Sequence, residues 1–191
     1  MVLTQSNMLP LGTELPNINL NNCKGSRYIQ PQEDKSGFVV AFICNHCPYV
    51  INIKEVMSDI LNKAVILNFE VVAINSNDWR SYPDDSPENM IIDVEKYNYN
   101  FPYLIDETQD TARAFLAECT PEFYVFNSEK KLTYRGRFDE STPGNGKEVN
   151  GKDLIEAIKS TKNNYKSDGD QIPSMGCNIK WKTKNTIKNF N

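Results

Sequence analysis

The segment Cys44-Asn45-His46-Cys47-Pro48 sets two thiols three positions apart, with the chain's single histidine between them and a proline directly after. Cysteines at C-x-x-C spacing at the start of a helix can close a disulfide across one turn, and the unpaired N–H groups of a helix N-terminus favour a thiolate. The chemistry expected of such a turn is thiol–disulfide exchange. Cys44, the outer thiol, is the candidate nucleophile, and Cys47, inside the first turn and more buried, is the candidate to resolve the mixed disulfide. A protonated His46 beside the thiolate is expected to lower its pKa and make the disulfide more oxidising. Two plainer readings compete with this one. The pair could be small buried hydrophobes ending a strand, or part of a metal site. Cys44, His46 and Cys47 offer three soft ligands where a closed zinc site needs four, and Cys119 or Cys177 would have to supply the fourth, so no metal is expected.

The elements around the turn follow from patterning. Phe38–Ile43 is a continuous apolar run of aromatic and β-branched residues, as in a strand buried on both faces. After Pro48, the residues Val50, Ile53, Val56, Met57, Ile60, Leu61 and Ala64 fall at helical spacing, and residues 69–74 form a second buried strand, giving a βαβ unit with parallel strands. Asn75–Pro87 reads as a long polar loop. Ser86-Pro87-Glu88 then starts a helix reaching about Tyr97. A short strand follows at 101–105, a helix capped by Asp106 or Thr108, and a hairpin of residues 123–126 and 131–135 about an Asn127–Lys130 turn. Thr120-Pro121 stands at the hairpin's entrance, a position that suits proline and where a cis bond is accessible. Asp139–Gly151 is a Gly/Pro/Asn loop before a short helix on Leu154, Ile155 and Ile158. Residues 1–36 are expected to be an irregular lead-in with at most a short hairpin. Residues 163–191 form a polar tail whose island, Met175–Trp181, is expected to dock.

A length of 191 residues with 39% hydrophobic content suits a single domain spanning 1–191. The net charge of -4 comes with no basic stripe, which argues against a nucleic-acid partner. The longest apolar stretch, Phe38–Cys44, is too short to span a bilayer, and residues 1–30 lack a basic start followed by an apolar run, so a cytoplasmic protein without a membrane partner is expected. Five cysteines, with one tight pair, do not resemble the even framework of a disulfide-stapled secreted fold.

Strand, C-x-x-C-Pro, helix, then Thr-Pro and a β-hairpin resembles the thioredoxin fold, here a three-layer α/β arrangement with helices flanking a central mixed sheet. The lead-in Leu11–Leu20 resembles the opening of the redoxin (AhpC/TSA) branch. Cys44–Val50, Gly136-Arg137-Phe138-Asp139 and Gly176–Lys182 are similar to peroxiredoxin-like proteins of the thiol–disulfide isomerase type. The resemblance implies that Pro121 is a cis-proline facing the dithiol, with Thr120 presenting backbone to an incoming mixed disulfide. It also marks departures. Peroxiredoxins carry a Thr three residues before the peroxidatic Cys-Pro and an Arg on the opposing strand, where this chain has Cys44 and about Thr120. Thioredoxins carry a buried Asp six residues before the first cysteine, where this chain has Phe38, leaving His46 or the Asp139-Glu140 loop to handle protons.

The resulting expectation is a thiol–disulfide oxidoreductase serving redox homeostasis, with Cys44, Cys47 and His46 catalytic and Thr120 and Pro121 shaping the docking edge. Cys177 is a possible extra resolving thiol, whereas Cys23 and Cys119 are structural, and Trp79, Tyr49 and Phe138 could line the groove. The expected partners are protein or small-molecule disulfides and a thiol reductant, the chain acting as a monomer or homodimer without a dissociable cofactor. The alternatives are a thiol peroxidase with Cys47 peroxidatic and Cys44 resolving, a metal-binding chaperone, and a redox-inert scaffold.

Overall fold

A computed structural model of the chain describes residues 3–29, 34–164 and 171–183. The expected tail at 163–191 therefore falls partly outside the described residues. The lead-in is less irregular than its composition suggests: it holds β1 (Leu3–Gln5) and a hairpin of β2 (Asn19–Asn22) and β3 (Arg27–Ile29). Then come β4 (Gly37–Phe42), α1 (Pro48–Ile51), α2 (Lys54–Ile66) and β5 (Phe69–Asn75). A 3-10 turn at Pro83–Asp85 precedes α3 (Pro87–Lys96), and β6 (Tyr103–Ile105), α4 (Asp110–Ala114) and the two-residue β7 (Cys119–Thr120) follow. The chain continues through β8 (Glu122–Asn127), β9 (Leu132–Gly136), α5 (Lys152–Lys162) and β10 (Met175–Asn178).

Seven strands form a mixed sheet in the order β3-β2-β6-β5-β4-β8-β9. β4 lies at its centre, parallel to β5 and antiparallel to β8, and every residue of β4 and β5 is buried. Alternation along β4 splits the core into two layers. Val39, Ala41 and Ile43 pack with Met57 and Leu61 of α2, Val94 of α3 and Leu154 of α5. Phe38, Val40 and Phe42 pack on the other face with Phe115, Tyr124 and the lead-in residues Leu15 and Ile18.

Helix termini follow the sequence closely at α3, where the Ser86 hydroxyl accepts from the Asn89 N–H at 3.4 Å and Pro87 opens the first turn. Two starts differ. The helix expected to run unbroken from Pro48 is split at Asn52–Ile53, because the Ile53 N–H turns back to the Val50 carbonyl at 3.0 Å, a tightened turn that sends Ile53 into the core. At α4 the cap position is Gln109 in a left-handed conformation, and the Asp106 carboxylate serves the buried first-turn donors instead, accepting from the N–H groups of Thr111 and Ala112.

A second, three-stranded sheet has the order β1-β10-β7. The tail strand β10 lies antiparallel to both neighbours, with Cys177 opposite Leu3 on one side and Thr120 on the other. The island Met175–Trp181 does dock, and Ile179 joins the Phe42 layer of the core.

Candidate active site

The site is assembled where β4 ends. Ile43 extends the ladder with an N–H donated to Ile74 (3.0 Å), after which the chain leaves the sheet and Cys47 caps α1 while its carbonyl accepts from Val50 and Ile51. Pro48 sits at the first helical position, where a missing N–H costs nothing. Because α1 is only four residues long, its aligned peptide dipoles are few, and the strong N-terminal field expected from the sequence is not available to the thiols.

Both cysteines are buried, Cys44 as fully as Cys47. This corrects the expectation of an exposed outer thiol. The observed disulfide is also not Cys44–Cys47: Cys47 is bonded to Cys177, 130 residues away, with Cα atoms 6.2 Å apart. Cys44 remains a free thiol. All three sulfurs gather on Thr120, the residue before Pro121, and the Thr120-Pro121 bond is cis. Cys44 Sγ lies 3.2 Å from the Thr120 hydroxyl, and Cys47 Sγ 3.3 Å from its carbonyl oxygen. A disulfide sulfur has no hydrogen to give, so this second approach becomes a hydrogen bond only on reduction. Close passage of β10 over Thr120 requires Gly176, since a Cβ there would meet the Thr120 carbonyl oxygen at 2.1 Å.

The residue that sequence reasoning missed is Asp85. It lies in the stretch read as a polar loop, yet it is fully buried, as are Asn75, Asn77 and Asp78 around it. Its carboxylate accepts from the Asn45 N–H (2.7 Å) and the Asn77 side-chain amide (2.7 Å), and pairs with His46 Nδ1 at 2.8 Å. The His46 ring stacks on Tyr82, nearly parallel to it. Burial alone would raise the Asp85 carboxyl; the bonds from His46 and Asn77, the imidazole's charge and the Asn45 N–H outweigh it and hold the group below the usual carboxylate range. The Cys44 thiol goes the other way. Burial, then the Asp85 charge, push it up to about 12 against relief from the Thr120 hydroxyl, the Cys47 backbone and Lys180. His46, expected to acidify this thiol, faces the Asp85 carboxylate instead.

Among the described residues, Cys44, His46 and Asp85 bring three ligand-type atoms within 4.8 Å of one another, a grouping able to hold a metal ion. Asp85 already accepts from Asn45 and Asn77 and pairs with His46, so an ion would have to displace some of these partners. Among the other expected site residues, Tyr49 and Phe138 do line a cavity of about 210 Å³ together with Pro121, Ile172 and Met175. Trp79 does not: its indole donates to Glu107 at 2.7 Å. Asp139 accepts from the backbone N–H groups of Ser141, Asn150 and Gly151, and the exposed Glu140 lines the same cavity beside Pro121. Cys23 and Cys119 are free buried thiols.

Fold and site together define a thioredoxin-like protein with a thiol cluster at the end of its central strand. The AhpC/TSA family model matches residues 11–135, and the chain belongs to that family. Two solved structures resemble nearly all of it. One is a hypothetical protein from Sinorhizobium meliloti, 39% identical over 94% of this chain and 99% of that one, with a TM-score of 0.91. The other is an uncharacterized conserved protein from Geobacillus kaustophilus, 41% identical over 96% and 98%, with a TM-score of 0.92. A thiol:disulfide interchange protein from Chlorobium tepidum shares the fold at 14% identity, covering 79% of this chain and 97% of that one, with a TM-score of 0.61. No curated protein matched the chain.

Proposed function

We propose that the protein is a thiol–disulfide oxidoreductase in which Cys44 and Cys47 form the working dithiol and Cys177 is a third, exchanging thiol. The observation that carries this reading is the convergence of all three sulfurs on Thr120, ahead of the cis-proline. In one cycle the Cys44 thiolate attacks a substrate disulfide, Cys47 displaces the reduced substrate, and the Cys44–Cys47 bond passes to Cys47–Cys177 when the Cys177 thiolate attacks Cys47 and Cys44 leaves. A thiol reductant then restores the three thiols. In a cytoplasmic setting, net flow runs from that reductant to protein or small-molecule disulfides.

Insulin-disulfide turnover and the dithiol reduction potential of wild type, Cys44→Ser, Cys47→Ser and Cys177→Ser test this. Turnover should vanish in the first two variants and persist, slowed, in the third. Turnover unaffected by Cys44→Ser would sink the assignment. A second reading, hydroperoxide reduction by Cys47, is favoured by one observation: a Cys47–Cys177 bond is what a sulfenic acid at Cys47 would leave after condensing with Cys177. Peroxide consumption that survives in Cys44→Ser but is lost in Cys47→Ser would select that reading.

A further inference from the structure

Counted along the sequence, metal ligands at the turn stop at Cys44, His46 and Cys47, one short of a closed zinc site. Folding brings a fourth from the 3-10 turn. Cys44, His46 and Asp85 hold their ligand atoms within 4.8 Å of one another. Tetrahedral zinc, with bonds of about 2.3 Å to sulfur and about 2.0 Å to nitrogen or oxygen, sets its ligand atoms about 3.3–3.8 Å apart. The cluster is thus already near the size of a coordination shell. His46 Nδ1 is buried and makes no aligned hydrogen bond, although an Asp85 oxygen lies 2.8 Å away. An ion seated between the two atoms needs that gap to widen by about half an ångström. The other partners of Asp85 stay in place. The Asn45 N–H occupies Oδ1, the Asn77 amide shares Oδ2, and an ionised carboxylate has about four acceptor positions.

Cys47 donates a thiolate only when it is not bonded to Cys177. Its sulfur lies 3.3 Å from the Thr120 carbonyl oxygen, and that of Cys44 lies 3.2 Å from the Thr120 hydroxyl, so the two sulfurs of the turn meet on one residue. Two thiolates and a carboxylate bring three negative charges into a buried site, which is costly without compensation. A divalent ion cancels two of them. The third faces the Lys180 ammonium, a buried group that acts on Cys44 through its charge and is held by two oxygens of Asn178 at 2.8 Å.

We infer that in the fully reduced protein Cys44, Cys47, His46 through Nδ1, and Asp85 bind one zinc ion, and that the ion and the Cys47–Cys177 bond exclude each other. Two thiolates and an imidazole with one carboxylate suit zinc and disfavour the hard cations magnesium and calcium. Forming the Cys47–Cys177 bond withdraws one thiolate and leaves three ligands, so the oxidised chain holds zinc more weakly.

The experiment is anaerobic titration of the fully reduced, full-length chain with cobalt(II), followed by displacement with zinc(II). One equivalent of cobalt is expected to bind with a thiolate-to-metal charge-transfer band and the visible bands of a four-coordinate ion. His46→Ala and Asp85→Asn should each weaken binding by about a hundredfold or more, beyond the range typical of outer-shell partners. The chain oxidised to Cys47–Cys177 should lose affinity to a similar extent. Cys177→Ser, kept reduced, should bind as the wild type does. A readout needing no variant is peptide-resolved iodoacetamide labelling of the reduced wild type: zinc should slow Cys44 and Cys47 by about tenfold or more and leave Cys23 and Cys119 unchanged. Absence of stoichiometric binding, protection of Cys23 or Cys119 instead, affinity indifferent to Asp85→Asn, or a loss in Cys177→Ser equal to that in His46→Ala each overturns the inference. None of these readouts requires turnover, so the proposed oxidoreductase activity can fail or stand independently.

Discussion

Two buried thiol–carboxylate pairs flank Thr120, and they differ in one partner. On one side Cys44 sits by Asp85, whose carboxylate has an imidazole and two N–H donors. On the other, Cys119 sits by Glu122, which accepts from the Tyr124 hydroxyl at 2.7 Å and the Glu118 N–H at 3.2 Å and has no cationic partner among the described residues. Burial pushes Glu122 up to about 7, with the Tyr124 and Glu118 bonds pulling only part of the way back. Asp85 is held low instead. A buried carboxylate stays charged where a cation faces it, and turns toward the neutral form where only neutral donors do. The Asp85 side is therefore built to handle charge and the Glu122 side to avoid it.

The comparison can be broken most forcefully at Asp85. Asp85→Ala leaves the Asn45 N–H and the Asn77 amide buried without an acceptor and His46 without its partner. A loss of about 3 kcal/mol is expected in urea denaturation, the size seen when one member of a buried pair is deleted. A smaller effect, of opposite character, is expected at Glu122. Its folded pKa lies above its unfolded value, so the folded state binds more protons between about 4.5 and 7, and stability falls as pH rises through that window. About 2 kcal/mol should be lost between pH 5 and 7 in the wild type. Glu122→Gln should flatten that decline, measured as urea midpoints at the two pH values. Asp85 contributes with the reverse sign: its stabilisation is present above the unfolded carboxylate pKa and is lost as pH falls through the lower folded value. The smallest change is at Gly176, which passes over Thr120 between the two pairs. Gly176→Ala should cost about 1 kcal/mol through the forced shift of β10, and should quicken labelling of both Cys44 and Cys119. Quickening at only one of them would show that the two thiols do not share a cover.

The parts of this arrangement that rest on local pattern could be read in the sequence, and those made by distant pairing could not. The run at 38–43, the C-x-x-C-Pro turn, the Ser86-Pro87 start and the Thr-Pro entrance to the hairpin are each written in a few consecutive residues. Asp85 sits in a stretch so polar that it reads as a solvated loop. It is buried because Asn45, Asn77 and His46 satisfy it, a fact that no window of residues 75–87 contains. The Cys47–Cys177 bond likewise depends on a pairing of β10 with β7 and β1 that joins both ends of the chain. A docked tail was legible from its apolar island, but the edge it would choose was not. The helix at 48–64 divides because Ile53 turns inward, and periodicity alone counts Ile53 as one more core position.

The place of β10 also bears on the order in which the molecule is made. The Cys44–Cys47 turn and its Asp85 support are synthesised well before Cys177, which follows Cys47 by 130 residues. Domains begin to fold as they emerge, so the growing chain passes through a stage in which the sheet around β4 can form while the edge of β7 is still bare. At that stage Cys44 and Cys47 have only each other as disulfide partners within the turn. The cover that distinguishes the finished protein arrives with its last described strand, and the thiols are at their most open on the ribosome.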